Sequence, residues 1–225
     1  LLLAVLGLSM LVPMALDLAR QNDHWSAFAE AALITVLSGV FLMISCGAAR
    51  RQALSLQQTF LMTFGVWLGL PLFAALPFVL GATAATVTDA VFEAMSGMTT
   101  TGATVFEGLD ELPQGLNLWR GLMQWFGGIG IIVVAMVFLP ELRVGGMQIF
   151  RSEGFDTMGK ILPRAAEIAQ RISVIYILLT LTCGAAYWVM GMSAFDAVMH
   201  AMTTVSTGGF SSNDASFATF KGPAE

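Results

Sequence analysis

Long apolar segments alternate with short polar ones along most of the chain, and this alternation predicts a bundle of membrane-spanning helices. A helix crosses the hydrocarbon core of a bilayer with about 20 mostly apolar residues. Pro71 and Pro77 lie in the third apolar segment, where we expect kinks whose freed carbonyl groups are satisfied by neighbouring helices. The candidate spans are residues 1–16, 25–49, 59–80, 118–139 and 172–190.

Two further apolar segments, residues 89–98 and residues 196–202, are too short to cross a bilayer as helices. Each is followed by a polar run that carries no charge, residues 99–104 in the first case and residues 204–210 in the second. We therefore predict two short helices, each of which ends at a polar run.

The two short segments also begin alike. Thr86-x-x-Asp89 and Ser193-x-x-Asp196 have the spacing of a capping box, in which side chains satisfy the free N–H groups of a helix start. Downstream, residues 89–95 align with residues 196–202. The similarity indicates an internal repeat of span, short helix, polar run and span. Two spans in each unit give both units the same orientation, unlike the inverted repeats of many transporters.

The polar runs align through their Thr-Gly pairs. Thr100-Thr101-Gly102 matches Ser206-Thr207-Gly208, with one residue fewer in the second copy. Non-helical backbone at membrane depth is tolerated only where it lines a water-filled cavity or is buried in protein. A ring of backbone carbonyls can replace the hydration shell of K⁺, and the C-terminal end of a helix favours a cation. The alternative is that these runs are small-residue helix contacts, but two copies favour an ion filter.

Composition agrees with a membrane protein. The chain has 225 residues, of which 56% are hydrophobic and 11% charged, and its mean hydropathy is +0.77. A typical soluble domain carries about 25% charged residues. There is neither a basic cluster nor an aromatic array that would suggest a nucleic-acid partner.

The placement of charge predicts the orientation in the bilayer. Basic residues concentrate at Arg50-Arg51 and in residues 143–171, which fall on one side if the spans alternate. The positive-inside rule makes that side cytoplasmic and places both polar runs on the outer side. Most acidic residues lie on the outer side: Asp89, Glu107, Asp110, Glu111, Asp196 and Asp214.

Several of these segments together resemble the TrkH branch of the Trk/Ktr/HKT potassium transporter superfamily. The resemblance implies parallel repeats of outer helix, pore helix and inner helix, as in K⁺ channels, preceded by two extra transmembrane helices. It divides the chain into residues 1–52 (the extra helices), 53–144 (the first pore unit) and 145–225 (a cytoplasmic link and an incomplete second unit). We expect the chain to be a piece of a longer protein. The segments are residues 97–104, 107–113, 124–130, 145–148 and 206–211.

The same resemblance implies a function in K⁺ uptake across the bacterial inner membrane, without enzymatic activity or a covalently bound cofactor. Expected partners are the lipid bilayer, a second copy in a homodimer and a cytoplasmic nucleotide-binding regulatory subunit. Glycine at the filter position accompanies K⁺ preference in the family, whereas serine accompanies Na⁺. The implied filter residues are Thr100, Thr101, Gly102 and Ala103 in one unit and Ser206, Thr207, Gly208 and Gly209 in the next, with K⁺ held through Thr100, Thr101, Ser206 and Thr207.

Two other functions stay open at this point. A small-solute or Na⁺-coupled secondary transporter would show inverted repeats and an intramembrane charge. A membrane scaffold without transport would use the Thr-Gly runs only to pack helices.

Individual residues outside the polar runs have competing interpretations. The glycines at 127, 128 and 130 are expected to pack closely on the first short helix, because the spacing and context of a dinucleotide fingerprint are missing. Arg120 is either a snorkelling interfacial side chain or the partner of Glu107 or Asp110. Glu93 and His200 occupy equivalent helix positions, where a polar network behind the filter is favoured over proton relay.

The two cysteines, Cys46 and Cys183, lie in apolar segments and are expected to be small buried hydrophobes. Their spacing gives no support to a disulfide or a metal site.

Overall fold

The computed structural model describes residues 1–47, 56–81, 83, 85–138 and 158–220. Within these residues the chain forms nine α-helices and a short 3₁₀ helix, with no β-strand. This agrees with the predicted all-α class. The helices are α1 (Leu2–Ser9), α2 (Leu11–Ala19), α3 (Trp25–Ser45), α4 (Leu56–Ala74), α5 (Leu76–Leu80), α6 (Val87–Met98), α7 (Gln114–Phe138), α8 (Met158–Val189) and α9 (Ala194–Val205), and the 3₁₀ helix is Ser216–Thr219.

Four helical segments in the described part of the chain are long and apolar enough to cross a membrane. They correspond to the first, second, third and fifth predicted spans. The fourth predicted span corresponds to α7, whose 25 residues extend about 37 Å at 1.5 Å per residue. The four segments are Leu2–Ala19, Trp25–Ser45, Gln57–Leu80 and Ala169–Val189.

Arg50, Arg51, Arg143, Arg151 and the 145–148 segment lie outside the described residues. The orientation inferred from the basic residues therefore stays a prediction.

The third span breaks between α4 and α5 at Ala75, as its prolines predict. Pro77 has no N–H group, and the amide of Phe78 bonds to Ala75 O at 3.0 Å, so the carbonyl of Ala74 loses its helical partner. The indole Nε1 of Trp119, on α7, donates to that carbonyl at 2.9 Å. A neighbouring helix therefore satisfies the freed group, which confirms the prediction.

The other prolines give mixed results. Pro71 stays inside the continuous helix α4. The first span is divided at Met10 into α1 and α2, a break that the hydrophobic pattern did not predict. Pro13 accounts for it, because this residue cannot donate a hydrogen bond to the carbonyl of Ser9.

The main buried core lies where α6 and α7 meet the N-terminal helices. Helices α1 and α3 approach closely at Gly39, where a Cβ atom would lie 2.7 Å from the amide nitrogen of Ala4. Helix α8 contacts α9 and α7, and most of its spanning segment is exposed. The largest fully buried apolar side chains of the core are Trp119, Phe28, Phe78, Met10, Leu116 and Met123.

The prediction of buried cysteines is wrong for Cys46, which is exposed, while Cys183 is half-buried. In a membrane protein an apolar segment is adjacent to lipid as well as to protein, so hydrophobicity does not imply burial between helices. Both thiols are free.

The bond from Trp119 to the broken third span gives a stability prediction. Trp119→Phe leaves the buried carbonyl of Ala74 without a donor, and we expect a loss of about 1–3 kcal/mol in the free energy of unfolding. Trp125→Phe is the matched control, because the hydroxyl that accepts its bond, on Thr180, also donates to Tyr176 O. Thermal unfolding of the purified protein checks this, and equal losses for the two variants would contradict it.

Candidate functional site

Helices α6 and α9 have the same length, 12 residues, and the predicted caps. The hydroxyl of Thr86 accepts from the amide of Asp89 at 3.2 Å, and the hydroxyl of Ser193 accepts from the amide of Asp196 at 3.1 Å. In α6 the carboxylate of Asp89 also accepts from the amide of Thr86, which completes the capping box. Hydrogen bonds from the Thr86 side chain and backbone lower the pKa of Asp89. The carboxylate form that completes the capping box is therefore retained to lower pH than it would be without these bonds.

Helix α6 ends in a Schellman motif. The amide of Thr100 donates to Gly97 O at 3.0 Å, and the amide of Thr101 donates to Ser96 O at 2.9 Å. The motif requires a left-handed residue just after the helix, and Thr100 takes that role with φ +56°. The chain then reaches Gly102, which also has positive φ, at +77°.

Helix α9 ends in the same way. The amide of Thr207 donates to Thr204 O at 2.9 Å, and the amide of Gly208 donates to Thr203 O at 2.9 Å. Thr207 has φ +58° and Gly209 has φ +82°. We call residues 99–104 the first loop and residues 206–211 the second loop.

These angles correct the predicted alignment of the loops. Thr86 and Ser193 are 107 residues apart, and so are Gly102 and Gly209, which share positive φ. Gly209, rather than Gly208, is therefore the structural equivalent of Gly102, and no residue is missing from the second copy. The predicted alignment matched the Thr-Gly pairs by residue type, whereas equivalence follows the backbone conformation.

Threonine is an unusual residue for the left-handed conformation. Its branched Cβ makes positive φ unfavourable, and the left-handed region costs roughly 1–2 kcal/mol for a residue with a side chain. Thr100 and Thr207 both adopt it at equivalent positions. Strain of this kind persists where the surroundings fix it and clusters at functional sites. The repeated strain marks the two loops as the candidate site.

Each loop is joined to its own short helix by a side-chain hydrogen bond. The hydroxyl of Thr104 donates to Glu93 Oε1 at 2.9 Å, and the hydroxyl of Ser211 lies 3.1 Å from His200 Nε2. The two pairs occupy equivalent positions in the repeat. The hydrogen bond between helix and loop is retained, while the group on the helix changes from a carboxylate in the first unit to a neutral imidazole in the second. The predicted polar network at Glu93 and His200 is confirmed.

The hydrogen bonds of His200 fix its tautomer. Nδ1 lies 2.8 Å from the carbonyl oxygen of Asp196, which can only accept, so Nδ1 carries the proton. In the neutral ring Nε2 then accepts from the hydroxyl of Ser211. The same hydroxyl oxygen accepts from the amide of Asn213 at 3.1 Å. The network of the second loop is thus complete with a neutral imidazole.

Arg120, on α7, is fully buried and joins the two loops. Its Nε donates to Glu93 Oε1 at 2.7 Å, and its Nη2 donates to the Thr104 hydroxyl at 3.2 Å. Its Nη1 donates to the carbonyl oxygen of Ser211, in the second loop, at 2.7 Å. The guanidinium also lies over the ring of Phe210, 4.3 Å from its centroid.

Both predicted roles of Arg120 are therefore wrong. A snorkelling side chain would reach the interface, and a partner of Glu107 or Asp110 would point to the outer mouth. Arg120 points instead towards α6, where Glu93 is buried and compensates its charge.

Gln124, one turn after Arg120, holds the next group of the second loop. Its Oε1 accepts from the amide of Phe210 at 3.1 Å, and its side chain fills the space beside Gly208. Sequence reasoning missed this residue. Asn117, Arg120 and Gln124 are polar at positions i, i+3 and i+7 of an apolar span, so one helix face carries them all. That spacing could have identified them.

The glycines of α7 let the helix approach both loops closely. A Cβ on Gly127 would overlap the carbonyl of Met98, at the end of α6, and one on Gly128 would lie 3.1 Å from Ser206 Cβ. Their position inside a continuous helix rules out a nucleotide-binding turn. The predicted packing on the first short helix is confirmed for Gly127 alone, because Gly128 faces Ser206 and Tyr176 and Gly130 faces Trp67.

The segments that follow the two loops are also joined. Asp214 accepts from the amides of Gly108 and Leu109, each at 2.9 Å. Asn117 Nδ2 donates to Leu109 O at 2.8 Å. Asp214 was predicted only as an outer acidic residue, and its amide partners follow from the fold.

The structure brings the predicted site residues of both loops to one place. A Cβ on Gly102 would overlap the carbonyl oxygen of Gly208, so the two loops are in direct contact. The exposed site residues are Thr101, Ala103, Thr207 and Gly209; Thr100 and Gly102 are half-buried; Ser206 and Gly208 are buried.

Several known proteins are similar to this chain in sequence. Residues 24–224 match the TrkH family, described as a cation transport protein. The Trk system potassium uptake protein TrkI of Halomonas elongata is 41% identical over 218 residues, which cover 96% of this chain and 44% of that protein. TrkH of Escherichia coli K12 is 40% identical over 218 residues, with coverages of 96% and 45%. The chain belongs to the TrkH family.

A solved structure of the TrkH family extends the comparison to the fold. The crystal structure of the potassium transporter TrkH from Vibrio parahaemolyticus matches with a TM-score of 0.84 and 36% identity, covering 98% of this chain and 44% of that chain. The chain therefore spans a little less than half the length of these relatives. The match confirms the family resemblance and the helical membrane-transporter fold.

The buried ion pair gives a second stability prediction. Removing one partner leaves an uncompensated buried charge, so Glu93→Gln and Arg120→Gln should each cost about 3–5 kcal/mol in the free energy of unfolding. We expect the double variant to lose clearly less than the sum, because neither charge is then left alone.

Thermal unfolding of the purified full-length protein gives the double-mutant cycle. His200→Asn is the matched control at the equivalent neutral position, and we expect it to cost only about 1–3 kcal/mol. Additive losses for Glu93 and Arg120 would contradict the assignment.

Proposed function

We propose that the protein containing this chain conducts K⁺ inward across the bacterial inner membrane, through a filter to which both loops contribute backbone carbonyl oxygens. The observation that carries the proposal is the contact between two loops of the same strained conformation, each placed after a short capped helix. The names of the relatives, which are potassium uptake proteins, support K⁺ as the transported ion.

Backbone oxygen is the ligand best suited to this site. Neither loop contains a carboxylate, and the nearest buried one, Glu93, is neutralised by Arg120. Carbonyl groups in fixed positions can replace the hydration shell of a monovalent cation. Helices α6 and α9 both point their C-terminal ends at the loops, and each end contributes about half a negative charge that favours a cation.

The positions proposed to hold K⁺ are the filter residues that the family resemblance implies. Carbonyl groups of Thr100, Thr101 and Gly102 contribute from the first loop, with Ala103 at its end. From the second loop the contributors are Ser206, Thr207, Gly208 and Gly209. Gly102 and Gly209 carry the positive φ angles that let consecutive carbonyls turn towards a common ion.

The architecture that accompanies this function is part of the proposal. Helices α4 and α5 act as the outer helix of the first unit, α6 as its pore helix and α7 as its inner helix. Helices α8 and α9 begin the second unit, and α1 to α3 form the two extra spans. The homodimer, the nucleotide-binding regulatory subunit, and the absence of a cofactor and of enzymatic activity are proposed from the family resemblance.

The test replaces a filter glycine with serine. The control is the same substitution at a glycine of similar backbone conformation outside the loops. Gly209 and Gly108 both have positive φ, +82° and +68°, and a Cβ atom at either position meets no atom within 4 Å. Serine therefore adds similar backbone strain at both. We expect Gly209→Ser to lower K⁺ uptake at least tenfold or to reduce the K⁺/Na⁺ preference, because it perturbs a carbonyl ligand.

Gly108→Ser lies outside both loops and should leave both quantities close to wild type. The measurement is Rb⁺ and Na⁺ uptake by the full-length protein in proteoliposomes. If Gly209→Ser and Gly108→Ser behave alike, strain alone explains the effect and the filter proposal fails. Gly208 is less suitable, because a Cβ there would overlap the side chain of Gln124.

A further inference from the structure

One end of the Gln124 side chain is bound and the other is free. The residue lies on α7 and is fully buried. Its Oε1 accepts from the amide of Phe210 at 3.1 Å, and because a backbone N–H can only donate, this bond identifies the oxygen end of the carboxamide. The other end, Nε2, is buried and has no hydrogen-bond partner among the described residues. The side chain therefore carries two N–H donors that the described part of the chain leaves unused.

Nε2 of Gln124 lies at the contact between the two loops. A Cβ atom on Gly208 would lie 2.6 Å from Nε2. A Cβ atom on Gly102 would lie 3.7 Å from Nε2 and would overlap the carbonyl oxygen of Gly208. Nε2 and the Gly208 oxygen therefore border the same space, which glycine at position 102 leaves free.

The carbonyl of Gly208 is the acceptor that matches this donor. It accepts no hydrogen bond within the parts of the chain that the structure describes. A buried donor without a partner is uncommon and needs an explanation. A carbonyl oxygen has two lone pairs, so it can accept an N–H group with one and coordinate a cation with the other. A bond from Nε2 to the Gly208 oxygen would satisfy both groups and leave the oxygen able to bind an ion.

The other polar residues on the same face of α7 have no donor to spare. Asn117 Nδ2 donates to Leu109 O at 2.8 Å. Each nitrogen of the Arg120 guanidinium donates to at least one neighbouring group. Of these three residues, Gln124 alone keeps an unpartnered nitrogen, and that nitrogen faces the proposed filter.

We infer that Gln124 is a positioning residue for ion selectivity, whose amide donates to the carbonyl oxygen of Gly208 when an ion occupies the filter. The inference rests on the proposed function of the two loops. The bond holds the oxygen in a fixed place and withdraws electron density from it. Na⁺ is smaller than K⁺ and needs strong oxygen dipoles that approach closely, so both effects favour K⁺. Gln124 thus influences the choice of ion through Gly208 without contacting the ion.

Two substitutions separate the free end of the side chain from the bound end. Gln124→Glu keeps an oxygen acceptor for the amide of Phe210 and replaces the free donor with a carboxylate oxygen. Gln124→Met has a similar shape and removes both groups. We expect each to lower the Rb⁺/Na⁺ uptake ratio of the full-length protein in proteoliposomes about fivefold, the effect of losing one hydrogen bond. If Gln124→Glu keeps the wild-type ratio, the bond to Phe210 is the whole role of Gln124 and the inference fails.

The matched control is Asn117→Asp. It makes the same chemical change on the same face of α7, two turns earlier, and it also removes a buried donor. We expect the thermal midpoint of this variant to fall while its Rb⁺/Na⁺ ratio stays close to that of the wild type. An equal loss of the ratio in Asn117→Asp and Gln124→Glu would mean that added charge or a weakened fold explains the effect, and the inference would be overturned.

A structure of the wild-type full-length protein with bound K⁺ gives a second test that needs no variant. We expect Nε2 of Gln124 within about 3.2 Å of the Gly208 carbonyl oxygen. An ion bound in the filter while Nε2 stays out of hydrogen-bond reach of that oxygen would overturn the inference.

The uptake measurements also separate this inference from the proposed function. If the wild-type protein takes up Rb⁺ and Na⁺ equally, the proposed K⁺ function fails and the inference fails with it. If the wild type prefers Rb⁺ and Gln124→Glu retains that preference, only the inference fails.

Discussion

The ion pair between Arg120 and Glu93 is the interaction on which the arrangement of the two loops depends. Both side chains are fully buried, where a single unpaired charge would be strongly destabilising. Together they hold Thr104 in the first loop and the carbonyl of Ser211 in the second. Breaking the pair would release both loops at once. The loops contain no carboxylate, which agrees with the proposal that a cation passing between them is coordinated by backbone oxygen.

The repeat separates geometry from chemistry. The caps, the Schellman ends, the left-handed threonines and the helix-to-loop hydrogen bonds recur with a constant spacing, as between Thr86 and Ser193. The groups behind the loops differ, since Glu93 forms an ion pair and His200 uses a neutral imidazole. We infer that the proposed filter requires the loop conformation that both units share, because either set of side chains can support it.

Much of this fold follows from local signals in the sequence. Apolar length predicts the spans, and Thr86 and Ser193 predict the helix starts, because these features act over a few residues. The partner of Arg120 was not predictable in this way, because Glu93 lies 27 residues away on another helix. The loop register failed for a different reason. Residue type favours Gly208 as the match of Gly102, and only the φ angle identifies Gly209.

Direct observation of the bound ion tests the central claim most closely. The measurement is the anomalous scattering of Rb⁺ or Tl⁺ in crystals of the full-length protein. Coordination by backbone carbonyls predicts a peak between the two loops. The peak should lie within direct coordination distance of the carbonyl oxygens of residues 100–102 and 207–209. A peak found only beside the outer acidic residues, or no peak between the loops at saturating Rb⁺, would contradict the account.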